Sequence, residues 1–148
     1  MKGYIDNPKA TEETITSDGW LHSGDIAYYD ELGRFYIVDR VKELIKVKGF
    51  QVPPAELEDL LRSHPDVLDV CVIGIPDERS GELPLAFIEK KPDTSLSEQT
   101  IHSFVDEQVV EYKRLAGGVR FVESIPKTAS GKILRKNLKE EVLAKLDN

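Results

Sequence analysis

From Val41 onward the apolar residues change period several times, and the order of those changes leaves few folds open. Ile45-Lys46-Val47-Lys48-Gly49-Phe50-Gln51-Val52 alternates with period two around one glycine, which predicts a tight two-stranded hairpin turning near Gly49. Pro53-Pro54 suit the first turn of a helix in which Leu57, Leu60 and Leu61 share a face, and His64-Pro65 end it. Residues 67–75 and 85–89 read as strands, with Gly74, Pro76, Asp77 and Gly81 as turn residues. Ser97 reads as an N-cap for a helix carrying Ile101, Phe104, Val105, Val109 and Tyr112 at helical spacing. Gly117-Gly118 mark a bend, residues 119–122 a third strand and residues 133–146 a closing helix. Hairpin, helix, strand, strand, helix, strand, helix predicts an α+β fold: a β-hairpin plus a three-stranded sheet with packed helices.

Residues 1–40 read differently. A short helix opens at Asn7-Pro8, Asp18-Gly19 signals a turn, and two strand-like runs, 25–29 and 34–38, flank the hairpin chemistry of Asp30-Glu31-Leu32-Gly33. One hairpin and one short helix cannot bury Trp20, Tyr28, Phe35, Tyr36, Ile37 and Val38, so this segment is expected to belong to a larger body. The expected division is 1–40 and 41–148.

Charge and cysteine content narrow the function classes. The net charge of −7 argues against nucleic-acid binding. The segment from Lys113 to Lys139 nevertheless holds eight basic residues and one acid, which points either to a small anionic ligand or to a solvated basic face. Cys71, the single cysteine, excludes a disulfide framework and a cysteine zinc site, and its apolar neighbours place it in a buried strand. No apolar run reaches the ~20 residues of a membrane span. The start is no signal peptide and the chain ends Leu-Asp-Asn rather than in a peroxisomal tripeptide, so an intracellular, cytoplasmic setting is expected.

Three segments carry polar residues that packing does not explain. Gly19-Trp20-Leu21-His22-Ser23-Gly24-Asp25 ends in a carboxylate at a strand start, placed either to accept ribose hydroxyls or to cap a turn; His22 is either a base or surface. In the second, residues 39–49, Arg40 offers a planar fork, and Lys42, Lys46 and Lys48 would share one face of an extended segment, as site residues or as a solvated strand edge. The third, Pro126-Lys127-Thr128-Ala129-Ser130-Gly131-Lys132, reads as a loop entering a helix, suited to anion contact around Lys132 or capped by Ser130. It is no P-loop, because the first glycine is absent and Ile133 follows the lysine.

Together these segments resemble the adenylate-forming superfamily of acyl-CoA synthetases, 4-coumarate:CoA ligases and beetle luciferases. The resemblance runs from Met1 to about Leu138. Gly19 to Asp25 looks like the family's GW-hT-GD segment, with serine for the usual threonine; Asp39-Arg40 and Lys46-Val47-Lys48-Gly49-Phe50 resemble its hinge and following loop. Pro53-Pro54-Ala55-Glu56-Leu57-Glu58 is similar to the next helix, and Pro126 to Lys132 to the last core motif. The resemblance implies that residues 41–148 are the small C-terminal lid domain and residues 1–40 the tail of a large N-terminal AMP-binding domain.

It further implies a two-step reaction. An acid attacks the α-phosphate of ATP to give an acyl-adenylate, and coenzyme A then displaces AMP. By position, Asp25 and Arg40 would hold the ribose of ATP or AMP, Lys42 would be the hinge, Lys132 would act in the first step, and Lys46 and Gly49 would face the site in the second. The phosphate loop, acid pocket and Mg2+ site belong to the large domain, and nothing here matches them. The chain is therefore expected to be inactive alone, as part of a CoA ligase acting on a small carboxylic acid. A luciferase-like monooxygenase fragment, a docking module derived from the lid, and a stand-alone nucleotide binder are the alternatives.

Overall fold

A computed structural model describes residues 1–146 and divides them into two compact units, residues 1–42 and the chain from Glu43 onward. The terminal Asp147 and Asn148, on which the reading of the C-terminal tripeptide depends, lie outside the described residues.

In the first unit, α1 (Pro8–Thr14) is capped by the Asn7 side chain, which accepts from the Ala10 N–H at 3.0 Å. Strands β1 (Asp25–Tyr29) and β2 (Phe35–Arg40) form an antiparallel hairpin. Its turn is tied by Asp30, whose Oδ1 accepts the N–H groups of Leu32 and Arg34, both at 2.9 Å. No residue of this unit is buried. Phe35 is 75% exposed and Ile37 67%, so the hairpin has no core of its own.

The second unit is built on a five-stranded sheet. Strands β3 (Ile45–Val47) and β4 (Phe50–Val52) make a hairpin whose turn residues Lys48 and Gly49 both have positive φ, 49° and 84°. Two such residues in succession match the twist of a two-residue hairpin, and glycine adopts this conformation without a Cβ clash. Strands β5 (Val67–Asp77) and β6 (Gly81–Lys90) pair antiparallel along their full length, and β7 (Gly118–Val122) lies parallel to β6. The β3–β4 hairpin joins β6 at one register pair, Val47 opposite Gly81.

Helices cover both faces, and this explains the unbroken apolar run of β5. Val70, Val72, Ala86 and Ile88 face α2 (Pro54–Arg62) and α3 (Glu98–Asp106) through Leu57, Leu61, Ile101 and Val105. The alternate residues Cys71, Ile73, Leu85 and Phe87 pack with Leu138 and Val142 of α4 (Arg135–Leu146). Each fully buried leucine or phenylalanine contributes about 1.5–3 kcal/mol relative to exposure.

Four readings of the sequence need correction. Gly74 and Pro76 are strand residues rather than turn residues. A Cβ on Gly74 would sit 3.0 Å from the Glu82 carboxylate and from Ile45 Cγ2, so this glycine serves close approach. Helix α3 stops at Asp106 instead of running to Tyr112; the Gln108 side chain takes the Phe104 carbonyl at 2.9 Å and Val110 turns extended. Strand β6 begins at Gly81 rather than Leu85, because Asp77 Oδ2 accepts the Ser80 and Arg79 N–H groups and turns the chain straight back. The closing helix begins at Arg135, since Ile133 pairs with Lys127 as an isolated bridge.

Candidate functional site

In the first unit the structure brings Asp25 and Arg40 together. They are register partners at the open end of the hairpin, and Arg40 Nε meets Asp25 Oδ1 at 2.8 Å. A second guanidinium nitrogen donates to the Ser23 carbonyl at 3.3 Å, and Gly24, at φ 75°, accepts from the Val41 N–H at 2.9 Å. The glycine-bracketed loop and the start of the hinge segment are thus stitched into one rim. His22 is exposed and held through its backbone N–H to the Thr14 carbonyl at 2.8 Å.

Lys42 lies in a single 3-10 turn, Val41–Glu43, at the boundary of the two units. That turn and the positive φ of Lys48 interrupt the extended segment, so Lys42, Lys46 and Lys48 do not share a strand face as their spacing suggested. Lys46 is the exposed residue of β3 between buried Ile45 and Val47. Its backbone N–H donates to Glu82 Oε2 at 3.0 Å, while Glu82 Oε1 receives Lys139 Nζ of α4 at 3.1 Å. A cleft of about 360 Å³ opens beside this hairpin, lined by Val47, Lys48, Phe50, Leu83, Tyr112 and Arg114 among others. Phe50 and Tyr112 stack there with ring centroids 4.3 Å apart.

Lys132 sits on a small closed loop, not at a helix N-terminus. The Thr128 N–H donates to the Lys132 carbonyl, the Gly131 N–H to the Thr128 carbonyl, and the Lys132 N–H to Thr128 Oγ1 at 3.1 Å. Ser130 hydrogen-bonds Thr128 at 2.9 Å and caps no helix. Three of the loop's backbone donors, those of Thr128, Gly131 and Lys132, are therefore used inside the loop, and the exposed Lys132 ammonium is the charge it presents.

The basic segment 113–139 is a partly solvated set of cations that are mostly ion-paired, not a broad unpaired anion site. Six of its eight cations pair with carboxylates of the same unit, such as Lys113 with Glu56 at 2.6 Å and Lys127 with Asp69 at 2.5 Å. Among the described residues only Arg120 and Lys132 of that set lack a carboxylate partner.

Sequence reasoning missed one cluster. Arg135 Nε donates to Glu43 Oε2 at 2.6 Å, and its two terminal nitrogens grip both oxygens of Glu58, Nη2 to Oε2 at 3.0 Å. Glu58, 3% exposed, also accepts the Val72 N–H at 2.8 Å. Burial pulls the guanidinium pKa down, but the Glu58 carboxylate raises it by more, so Arg135 stays protonated. Cys71 Sγ lies 3.1 Å from Arg135; burial pushes the thiol up to about 11 despite that nearby charge. The signal in the sequence was faint: a carboxylate beside the apolar stripe Leu57-Leu61, with its partner 77 residues away.

The sequence profile described as the AMP-binding enzyme C-terminal domain matches residues 56–132, slightly more than half of the chain. The chain belongs to that family. Among relatives of this AMP-binding C-terminal domain, 4-coumarate–CoA ligase 1 of Arabidopsis thaliana is 57% identical over 96% of this chain and 25% of its own length. Luciferin 4-monooxygenase of Luciola mingrelica is 54% identical over 95% of the chain and 26% of its own. ATP-bound MatB of Rhodopseudomonas palustris superposes with a TM-score of 0.89 at 30% identity, over 95% of this chain and 28% of that one. The o-succinylbenzoate CoA synthetase of Bacillus subtilis, solved with its acyl-adenylate intermediate, gives 0.83 at 34% identity, over 94% and 28%. The chain spans about a quarter of the length of the relatives it matches.

No helix among the described residues is long and apolar enough to cross a membrane.

Proposed function

We propose that this chain is the C-terminal portion of an ATP-dependent acid:CoA ligase, in which the unit from Glu43 turns about Lys42 to serve two half-reactions in succession. The observation that carries the reading is the arrangement of two exposed lysines, Lys46 on strand β3 and Lys132 on its closed loop, at separate places of one compact unit joined to the rest of the chain at Lys42. A rigid body with a chemical group at each of two separate places can present them in turn to one site.

In this reading Asp25 accepts the ribose hydroxyls and Arg40 donates beside them. Lys132 brings a point charge to the α-phosphate and offsets charge developing in the adenylation transition state. In the second step the Lys46–Gly49 turn faces the acyl-adenylate. The cleft beside it, with stacked Phe50 and Tyr112 and the cations of Lys48 and Arg114, suits the phosphorylated nucleoside of coenzyme A. Mg2+ and the acid would be held by a large N-terminal domain of which residues 1–40 are the tail. ATP and coenzyme A fit an intracellular site of action.

A second reading has one observation behind it. The exposed apolar hairpin around Tyr28, Phe35 and Ile37 suits a lid that docks on a separate ligase as well as a segment continuous with one. The luciferase relative keeps oxidative chemistry as a variant of the first reading.

The test is Lys132→Ala in the full-length protein, assayed for acid-dependent ATP–pyrophosphate exchange and for thioester formation from supplied acyl-adenylate. Exchange should fall at least a hundredfold while thioester formation stays within about fivefold. Equal loss of both steps would contradict the proposed role.

A further inference from the structure

Arg135 is the only side chain among the described residues that grips Glu43, and Glu43 is the residue directly after Lys42. The same guanidinium holds both oxygens of buried Glu58 on α2 and lies 3.5 Å from the Val72 carbonyl on β5. Its backbone starts α4, immediately after the loop that carries Lys132. That loop is fixed at its other end by the Lys127–Asp69 pair, and the Leu134 N–H donates to the Pro126 carbonyl at 2.9 Å. One planar fork therefore connects the last residue of the boundary turn, the sheet, and the base of the Lys132 loop. A lysine could satisfy one of the two carboxylates but has no rigid fork to hold both.

We propose that Arg135, through Glu43, is a positioning residue that makes the end of the boundary turn and the Lys132 loop move as one body. The proposal rests on the roles given above to Lys42 and Lys132. With the contact made, bending at Lys42 reaches Lys132 undiminished. Without it, Glu43 becomes part of the flexible segment and Lys132 is delivered with a spread of positions. Misplacing a catalytic group in this way lowers the rate of the step while leaving nucleotide binding in place. Neither Arg135 nor Glu43 needs to touch substrate for this.

Glu43→Ala is the variant of choice, because Glu43 lies at the rim and its loss leaves the buried Arg135–Glu58 pair intact. In the full-length protein we expect kcat for adenylation to fall tenfold or more with KM for ATP within twofold. Amide hydrogen exchange at Thr128, Gly131, Lys132 and Leu134 should accelerate at least tenfold. Arg135→Lys, which keeps a cation beside Glu58, should reproduce both effects. Exchange in this loop within twofold of the parent, or an unchanged kcat, overturns the proposal. Exchange is read without turnover, so it judges the anchoring even if Lys132→Ala proves the assignment of Lys132 wrong.

Discussion

Asp25 and Arg40 stand opposite each other in the β1–β2 register and close the open end of that hairpin with a 2.8 Å ion pair. The pair is poorly shielded: the Arg40 side chain is 59% exposed and that of Asp25 24%. An exposed pair of this kind is worth about 0–1 kcal/mol, so it contributes little to holding the hairpin closed.

Asp25→Asn should therefore separate binding from stability. Under the ribose assignment, KM for ATP rises tenfold or more in the full-length protein, while the urea midpoint barely moves. Steady-state kinetics beside equilibrium denaturation reads both. A stability loss without a change in KM would return Asp25 to the role of a turn cap.

Cys71 supplies a pH signature. Burial raises its thiol from 9.0 to about 11 in the folded state, so folding favours the protonated form. The stabilisation is fully present below pH 9 and is lost as pH climbs toward 11, a fall of about 2–3 kcal/mol at 1.36 kcal/mol per pKa unit. Urea titrations at pH 8 and pH 11 should show that loss, and Cys71→Ala should flatten the part of it due to the thiol. Native protein at pH 8 should also resist iodoacetamide until denatured.

Gly74→Ala tests the support beneath Lys46. The new methyl would meet the Glu82 carboxylate and Ile45 at 3.0 Å, and Glu82 has little room to yield because it holds both the Lys46 N–H and Lys139. Overpacking of this sort costs about 1–3 kcal/mol. The expected result is a lowered melting temperature and, under the roles proposed for Lys46 and Lys132, a larger loss of thioester formation than of adenylation in the full-length protein, because Lys46 and not Lys132 sits on the displaced strand.

Much of the fold was legible because it depends on local chemistry. Asn7 and Ser97 announced helix starts, Gly49 a hairpin, and the period-two alternation of Ile45, Val47 and the residues between them a strand with one wet face. What misled was residue type read without its neighbours. Gly74 looked like a turn because glycine usually is one, and only the facing Glu82 and Ile45 show that it is a gap for another side chain. Val109 and Tyr112 kept helical spacing past Asp106, but spacing cannot register a side-chain amide that takes the Phe104 carbonyl. The basic segment invited an anion because sequence shows the sign of a charge and not the carboxylate opposite it. Arg135 was hidden for the same reason, since its partners Glu43 and Glu58 lie far back in the chain.

The junction between β3 and β6, a single pair at Val47 and Gly81, has an evolutionary reading. A strand woven along its whole length cannot be altered without disturbing its neighbours, as with β5 on β6. The β3–β4 hairpin asks less of its surroundings: inward-facing Ile45, Val47 and Val52, the Glu82 carboxylate, and the Ser80 carbonyl that receives the Lys48 N–H at 2.7 Å. With those five fittings and the Phe50–Tyr112 stack kept, the exposed side chains of the tip, Lys46 and Lys48, can be exchanged without disturbing the frame that carries them.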